Sequence, residues 1–189
     1  MPVNPPVRQK SRLTCRLLVV VLWLAAAPSA HAQVGSIIVV NTTVDTLGLP
    51  PRNGCTLRNA IIAANTDTPQ LNCGGGTGHD AIFFTLGAGN PQINLIAALP
   101  AITAPVTIDG ATGGATRVVL HGPGNVGPGL QINSTAAGTV IRNLVINNFG
   151  GIGIDIRADN ATITGNYIGT DASGTVAQAE RAFHTTIRA

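Results

Sequence analysis

Three charged residues fall within five positions of one another: Asp155, Arg157 and Asp159. On an extended segment Asp155 and Arg157 leave from the same side, and Asp159 follows in the next turn. Two carboxylates beside a guanidinium can hold a hard cation such as Ca²⁺ and present a base for proton abstraction. A solvated strand with alternating charges produces the same pattern, so these three are weak catalytic candidates. The other chemistry-bearing residues are more scattered. His79 and His121 read as loop residues with no nearby Ser, Cys or second His to complete a nucleophile or metal set, and no metal site is expected. No close pair of carboxylates suggests glycoside hydrolysis.

The element that must position Asp155 and Arg157 is a repeat. Residues 139–146, Thr-Val-Ile-Arg-Asn-Leu-Val-Ile, return as residues 161–168, Ala-Thr-Ile-Thr-Gly-Asn-Tyr-Ile, so that Ile141 and Ile163 stand 22 residues apart. Gly129-Leu130-Gln131-Ile132 returns as Gly151-Ile152-Gly153-Ile154 with the same offset. Apolar residues alternate for a few positions and are then interrupted by Gly or Asn, which tolerate the positive φ of a tight bend. Short strands, sharp corners and a fixed period describe a coil whose successive turns stack by parallel strand pairing. The expected fold is all-β, a right-handed parallel β-helix. Ile141, Leu144, Ile146, Ile152, Ile154, Ile156, Ile163 and Ile168 are expected to point inward, and Arg142, Asn147, Asp155, Arg157 and Thr164 to solvent. Asn143 and Gly165 share one corner. A β-sandwich of short strands is the competing architecture, but it requires no fixed period.

The chain begins differently. Arg8, Lys10, Arg12 and Arg16 precede an apolar run from Leu17 to Ala27, then Ala30-His31-Ala32, which is the pattern of a secretory signal peptide over residues 1–32. The run is too short to span a bilayer, so no membrane span is expected after cleavage. Of the 11 Lys and Arg residues, those four leave with the leader, and the seven that remain face eight Asp and Glu. The formal charge of +3 therefore becomes about −1, with neither Lys nor Trp left, and nothing favours nucleic acid as a partner. The expected localisation is secreted or cell envelope.

Residues 36–44 read as a first strand, and Asp45 to Gly54 as a loop. One α-helix follows over 56–65. Thr56 is the N-cap, Leu57, Ala60, Ile61 and Ala64 form one apolar face, and Asn65 is the expected stop. Cys55 and Cys73, the cysteines left after processing, are the number for one disulfide in an exported chain.

Cys55-Thr56-Leu57-Arg58-Asn59-Ala60-Ile61-Ile62-Ala63-Ala64-Asn65 resembles the defining motif of the CSLREA-domain proteins, secreted bacterial proteins in which it precedes parallel β-helix repeats of pectin-lyase-like type. Val40 to Thr46, Cys73 with Asp80 to Phe84, and Asn166-Tyr167-Ile168-Gly169-Thr170-Asp171 extend the likeness over residues 36–174. The family pattern pairs a Ser or Thr with a Glu three positions later, a capping box in which the Glu reaches back to an orphan helix N–H. Asn59 stands where that Glu would be, so the cap of Thr56 and Asn59 is weakened. The resemblance implies four segments: the leader, a CSLREA-like N-terminal cap over 33–80, coils over 81–174, and an irregular or helical tail over 175–189 that is also a possible truncation point. The helix is expected to cover the open end of the stack, with Arg58 in a structural pairing. Candidate strands are 81–85, 92–96, 106–108, 117–120 and 130–133.

Polysaccharide-acting enzymes are common among parallel β-helices, so two functions stand against each other. One is an exported surface or adhesion-type module without catalysis, which meets extracellular polysaccharide or a cell-surface component. The other is a carbohydrate-active enzyme, a lyase or hydrolase represented here by an N-terminal fragment. Only a lyase would call for a cofactor, Ca²⁺, with Asp155, Arg157 and Asp159 at its centre.

Overall fold

Alternation of apolar and polar residues over three to six positions, broken by Gly, Asn or Pro, leaves the chain no room for long elements, and the strands are short. In the computed structural model, residues 1–2, 34–48, 54–122, 124 and 127–178 are described. The expected leader beyond Pro2 and the tail beyond Gln178 lie outside them. Strand β1 (Val34–Val40) and helix α1 (Leu57–Thr66) are followed by β2 (His79–Phe84), β3 (Gln92–Asn94), β4 (Val106–Asp109), β5 (Val118–His121), β6 (Leu130–Ile132), β7 (Val140–Arg142), β8 (Leu144–Asn147), β9 (Ile154–Ile156), β10 (Thr162–Thr164) and β11 (Tyr167–Ile168).

The named strand pairs are parallel and form three sheets: β1-β2-β4-β7-β10, β3-β5-β8-β11 and β6-β9. A parallel bridge from Ile102 to Ile132 extends the third sheet by one level. The chain thus winds through the three sheets in rotation as a β-solenoid of about three turns. Equivalent side chains stack in columns. Ile38, Ile82, Ile108, Ile141 and Ile163 pair in register along the first sheet, Ile93, Leu120, Ile146 and Ile168 along the second, and Ile102, Ile132 and Ile156 along the third. Most of these are buried, and they make one continuous core with the helix face of Leu57, Ala60, Ile61 and Ala64. Losing one buried isoleucine to alanine from such a column typically costs about 2–5 kcal/mol.

The 22-residue period holds for part of the stack. Ile141 pairs with Ile163 and Ile146 with Ile168, as the repeat requires. Leu130, however, pairs with Ile154 rather than Ile152, a step of 24 residues, and Ile152 is half-buried outside the core. The two-residue error preserves which side faces in, because strand side chains alternate with period two. Earlier steps are longer: Ile82 to Ile108 is 26 residues and Ile108 to Ile141 is 33. The extra residues sit in corners. Between β2 and β3 and between β4 and β5 the corner segments pack on each other through Thr112, whose hydroxyl accepts the Phe84 N–H, and through a bridge from Gly89 to Ala115.

The later corner between the first two sheets takes a single residue. Asn143 (φ 57°) and Gly165 (φ 65°) both adopt the left-handed conformation there. Asn143 donates to Asp109, and a side chain at Gly110 would strike the Asn143 carbonyl. The Asn166 amide donates to the Ile141 carbonyl and accepts the Leu144 N–H, stapling the corner above it.

A disulfide joins Cys55 to Cys73, which stand 18 positions apart in sequence with Cα atoms 4.8 Å apart. Thr56 caps α1 by accepting the Asn59 N–H at 3.1 Å. The helix continues past Asn65 to Thr66 and stops at Asp67, whose φ is 51°. Asn65 has a different task, set out below.

Candidate functional site

The polar side chains that organise this chain lie at the N-terminal end of the stack, on one face of α1. Arg58 is buried, and its guanidinium donates through Nε and Nη2 to the two oxygens of Asp45 at 2.9 and 2.7 Å. It also reaches the carbonyls of Ala97 and Ala98 at 2.9 and 2.6 Å. Asp45 in turn accepts the Ile96 N–H. A planar fork with five donors is suited to this arrangement, which joins the loop after β1, the helix and the first corner of the stack. The ion pair leaves Arg58 without the exposure that a catalytic base or anion ligand needs.

Two turns further along the same helix face, the Asn65 amide donates to the Ala101 carbonyl at 2.7 Å and accepts the N–H groups of Thr103 and Ala104. Ile102 pairs downward with Gln131 and Asn133. Its neighbours Ala101 and Thr103 face the opposite way, toward the position a preceding coil would fill, and one side-chain amide stands in for that missing peptide group. Arg58 and Asn65 together satisfy an edge that would otherwise be open to pairing.

The expected reciprocal bond of the helix cap is lacking. Asn59 is buried, and its Nδ2 has no partner among the described residues. Asp80, passed over as a candidate, is fully buried. One of its oxygens accepts the N–H groups of Ser36 and Thr77, and the other packs against Gly76. Its sequence signals were its place after a Gly-rich loop and in the Asp80 to Phe84 part of the family likeness.

The sequence candidates on the third sheet come together only in part. Arg157 donates to Asp155 Oδ2 from Nε at 3.0 Å and from Nη2 at 2.7 Å. Asp155 is buried rather than solvent-facing, while the Arg157 side chain is 58% exposed. Asp159 lies in the exposed turn beyond them, where its carbonyl accepts the Gly138 N–H. The carboxylate and guanidinium thus face each other rather than a shared groove.

On the first sheet Asp109 is held by Arg142 Nε at 2.9 Å, Asn143 Nδ2 at 2.9 Å and the Ala111 N–H at 3.0 Å. Burial alone would push its carboxyl up. The donors from Asn143, Ala111 and Arg142 outweigh burial and hold it below the ordinary aspartate value. Asp171, partly exposed, is likewise lowered, first by the Ser173 hydroxyl and then by backbone N–H groups of its own loop.

His79 and His121 lie on strands, not in loops. His79 begins β2, with Nε2 3.1 Å from the Thr107 hydroxyl, and His121 ends β5, with Nδ1 3.0 Å from Asn147 Oδ1 and 3.1 Å from Asn148 Nδ2. Asn147, expected in solvent, is therefore buried as a rung between His121 and the Thr170 carbonyl. Among the described residues no group of three or more His, Cys, Asp or Glu side chains is placed to hold a metal, and no helix is long and apolar enough to cross a membrane. Compared with known proteins, the chain matches no family model, no curated protein and no solved structure.

Proposed function

We propose that this chain is an exported, non-catalytic surface or adhesion-type module of the CSLREA and pectin-lyase-like kind, a right-handed β-helix that meets extracellular polysaccharide or another cell-surface component along its side. The observation that carries this reading is the pairing of the charged groups. Arg58 with Asp45, Arg142 with Asp109 and Arg157 with Asp155 each neutralise each other across or along the stack, in the manner of groups that hold a scaffold. A lyase centre needs acid, base and cation ligands converging on one bound sugar. A module that binds by spreading contacts along regular sheet faces needs only the scaffold. The right hand follows the crossover preference of parallel strands. The disulfide supports an oxidising compartment, in line with the leader-like residues 1–32.

The test is incubation of the secreted protein with polyuronates and Ca²⁺, following unsaturated product by ultraviolet absorbance, alongside co-sedimentation with insoluble cell-wall polysaccharide. The expected result is sedimentation without turnover. Turnover that disappears in Arg157→Ala while the fold persists establishes the lyase instead.

A further inference from the structure

Three of the four described arginines are matched by a carboxylate within ion-pair distance: Arg58 by Asp45, Arg142 by Asp109 and Arg157 by Asp155. Arg117 is the fourth, and among the described residues it meets none. It is held in place all the same. Its guanidinium carbon lies 3.9 Å from the centroid of the Tyr167 ring, and its Nε donates to the Gly165 carbonyl at 3.3 Å. A guanidinium stacked on an aromatic face is attracted to the ring but keeps its whole charge. The carbonyl takes one of its five donors, and the edge that carries Nη1 and Nη2 meets no acceptor among the described residues.

The surroundings keep this charge uncompensated. Arg117 immediately precedes β5, and Tyr167 belongs to β11, which pairs with β8 as β8 pairs with β5, so the side chain reaches down the stack from one coil to another. A side loop closed by the bridge from Thr170 to Ala177 packs on the ring through Gly174 (φ 74°), where a Cβ would come within 2.9 Å of Tyr167 Cε2. The one acid of that loop, Asp171, is turned into it, accepting the Ser173 hydroxyl and the N–H groups of Thr175 and Val176. Arg142 comes to the same corner from the first sheet. It pairs in register with Thr164, the residue before Gly165, and donates through Nε to Asp109 while its side chain stays 44% exposed. Two guanidiniums thus stand against one carboxylate on this outer corner, in a chain that is formally about −1 once the leader is gone.

We propose that Arg117 is an oxyanion-binding group, presented on Tyr167 to take a carboxylate or sulfate of an acidic extracellular polysaccharide, with Arg142 across the corner taking a neighbouring charged group of the polymer. A fork of N–H donors matches the two oxygens of such a group, and a guanidinium already fixed on a ring loses less freedom when it binds. The inference deepens the surface-module reading and rests on it for the polymer, whereas the anion follows from Arg117 itself.

The experiment uses the secreted protein. Tyr167 is the only tyrosine of the chain and its one tryptophan, Trp23, falls in the leader, so tyrosine emission reports on this site. The parent, Arg117→Gln and Arg117→Lys are titrated with oligogalacturonate, with dextran sulfate and with uncharged dextran, and are sedimented with insoluble cell-wall polysaccharide. The expected result is a saturable change in Tyr167 emission with an acidic polymer and none with dextran. Affinity should fall about 10- to 100-fold in Arg117→Gln, the usual worth of hydrogen bonds to a charged group, and less in Arg117→Lys, which keeps the charge and loses the fork. The acidic polymer that binds more tightly identifies the anion as carboxylate or sulfate, and circular dichroism of each variant shows that the fold persists. Equal affinity of the parent and both variants for the acidic polymers overturns the site, as does dextran bound as tightly as they are; sedimentation that continues in either case leaves the surface module standing. A parent that binds none of the polymers, soluble or insoluble, overturns both together.

Discussion

Ile102 and Ile156 occupy equivalent places in the third sheet, one at the top of the stack and one at the bottom, and their open sides are treated differently. Around Ile102 the outward backbone groups of Ala97, Ala98, Ala101, Thr103 and Ala104 meet the Arg58 guanidinium and the Asn65 amide. On the side of Ile156 away from β6, no strand pairs with it among the described residues. The first arrangement ends a solenoid. A helix cannot pair with a strand edge through its backbone, because its own N–H and C=O groups are committed along its axis. Long polar side chains on its face can, and two of them about two turns apart suffice. The first sheet is blunted at the same end by other means: β1 carries a register irregularity between Val34 and Ile37, and the Asn41 N–H is taken by the Cys55 carbonyl.

If the N-terminal end is held by buried polar side chains, damage there should exceed damage to the exposed pair on the third sheet. Arg58→Ala strips the partner from buried Asp45 and frees two carbonyls at once, and should cost about 3–5 kcal/mol, the usual penalty for breaking a buried pair by removing one member. Arg157→Ala, with a side chain more than half exposed, should cost no more than about 1 kcal/mol, the range of a surface ion pair. Urea denaturation followed by circular dichroism reads both. Equal losses would mean that Arg58 does not carry the end of the stack.

Next in size is the disulfide. Replacing Cys55 and Cys73 together by Ala should lower stability by about 3 kcal/mol in the chain-entropy model, since the bridge closes a loop of 18 residues. Thiol titration of the parent, unfolded without reductant, should find neither of these two cysteines reactive. Asn65→Ala comes third. It leaves one carbonyl and two N–H groups short of partners and should cost about 1–3 kcal/mol. Its second effect sharpens the comparison, because an uncapped upper edge should raise the tendency to self-associate, which light scattering measures.

The architecture was legible because it rests on period-two alternation and on one clean repeat, 139–146 with 161–168, whose corner is reduced to a single residue. The second repeat was misplaced by two residues because Gly151, Ile152 and Gly153 imitate the alternation of the true strand, and stacking distance, which sequence spacing does not report, decided for Ile154. Asn147 and Asp155 were assigned to solvent by alternation alone. Both do leave from the outward side, but a rung from His121 to Thr170 and a partner in Arg157 cover them. Asn65 read as a helix stop because Asn is common there. Its role as a substitute peptide group depends on residues 36 and more positions away, beyond the reach of any local rule.

The smallest expected effect concerns Asp109, where the two-ended comparison meets pH. Its carboxyl is lowered in the folded protein by Asn143, Ala111 and Arg142 against the opposing pull of burial. The folded value lies below the ordinary 3.8, so the charged form is favoured by folding. Its contribution is complete above the unfolded value and is lost as pH falls through the folded one. Stability should therefore be insensitive to Asp109 near neutral pH and should decline in acid below about pH 4. Asp109→Asn keeps a polar group of the same shape but loses the titration, so its acid branch should be shallower than that of the parent. Arg58→Ala offers the contrast, because its loss should persist at neutral pH, where buried Asp45 is left without its guanidinium partner. Melting curves between about pH 2.5 and 7 for the parent, Asp109→Asn and Arg58→Ala resolve the two behaviours. Parallel acid branches for the parent and Asp109→Asn would remove Asp109 from the account and leave the corner at Asn143 held by its backbone and by the Asn166 amide.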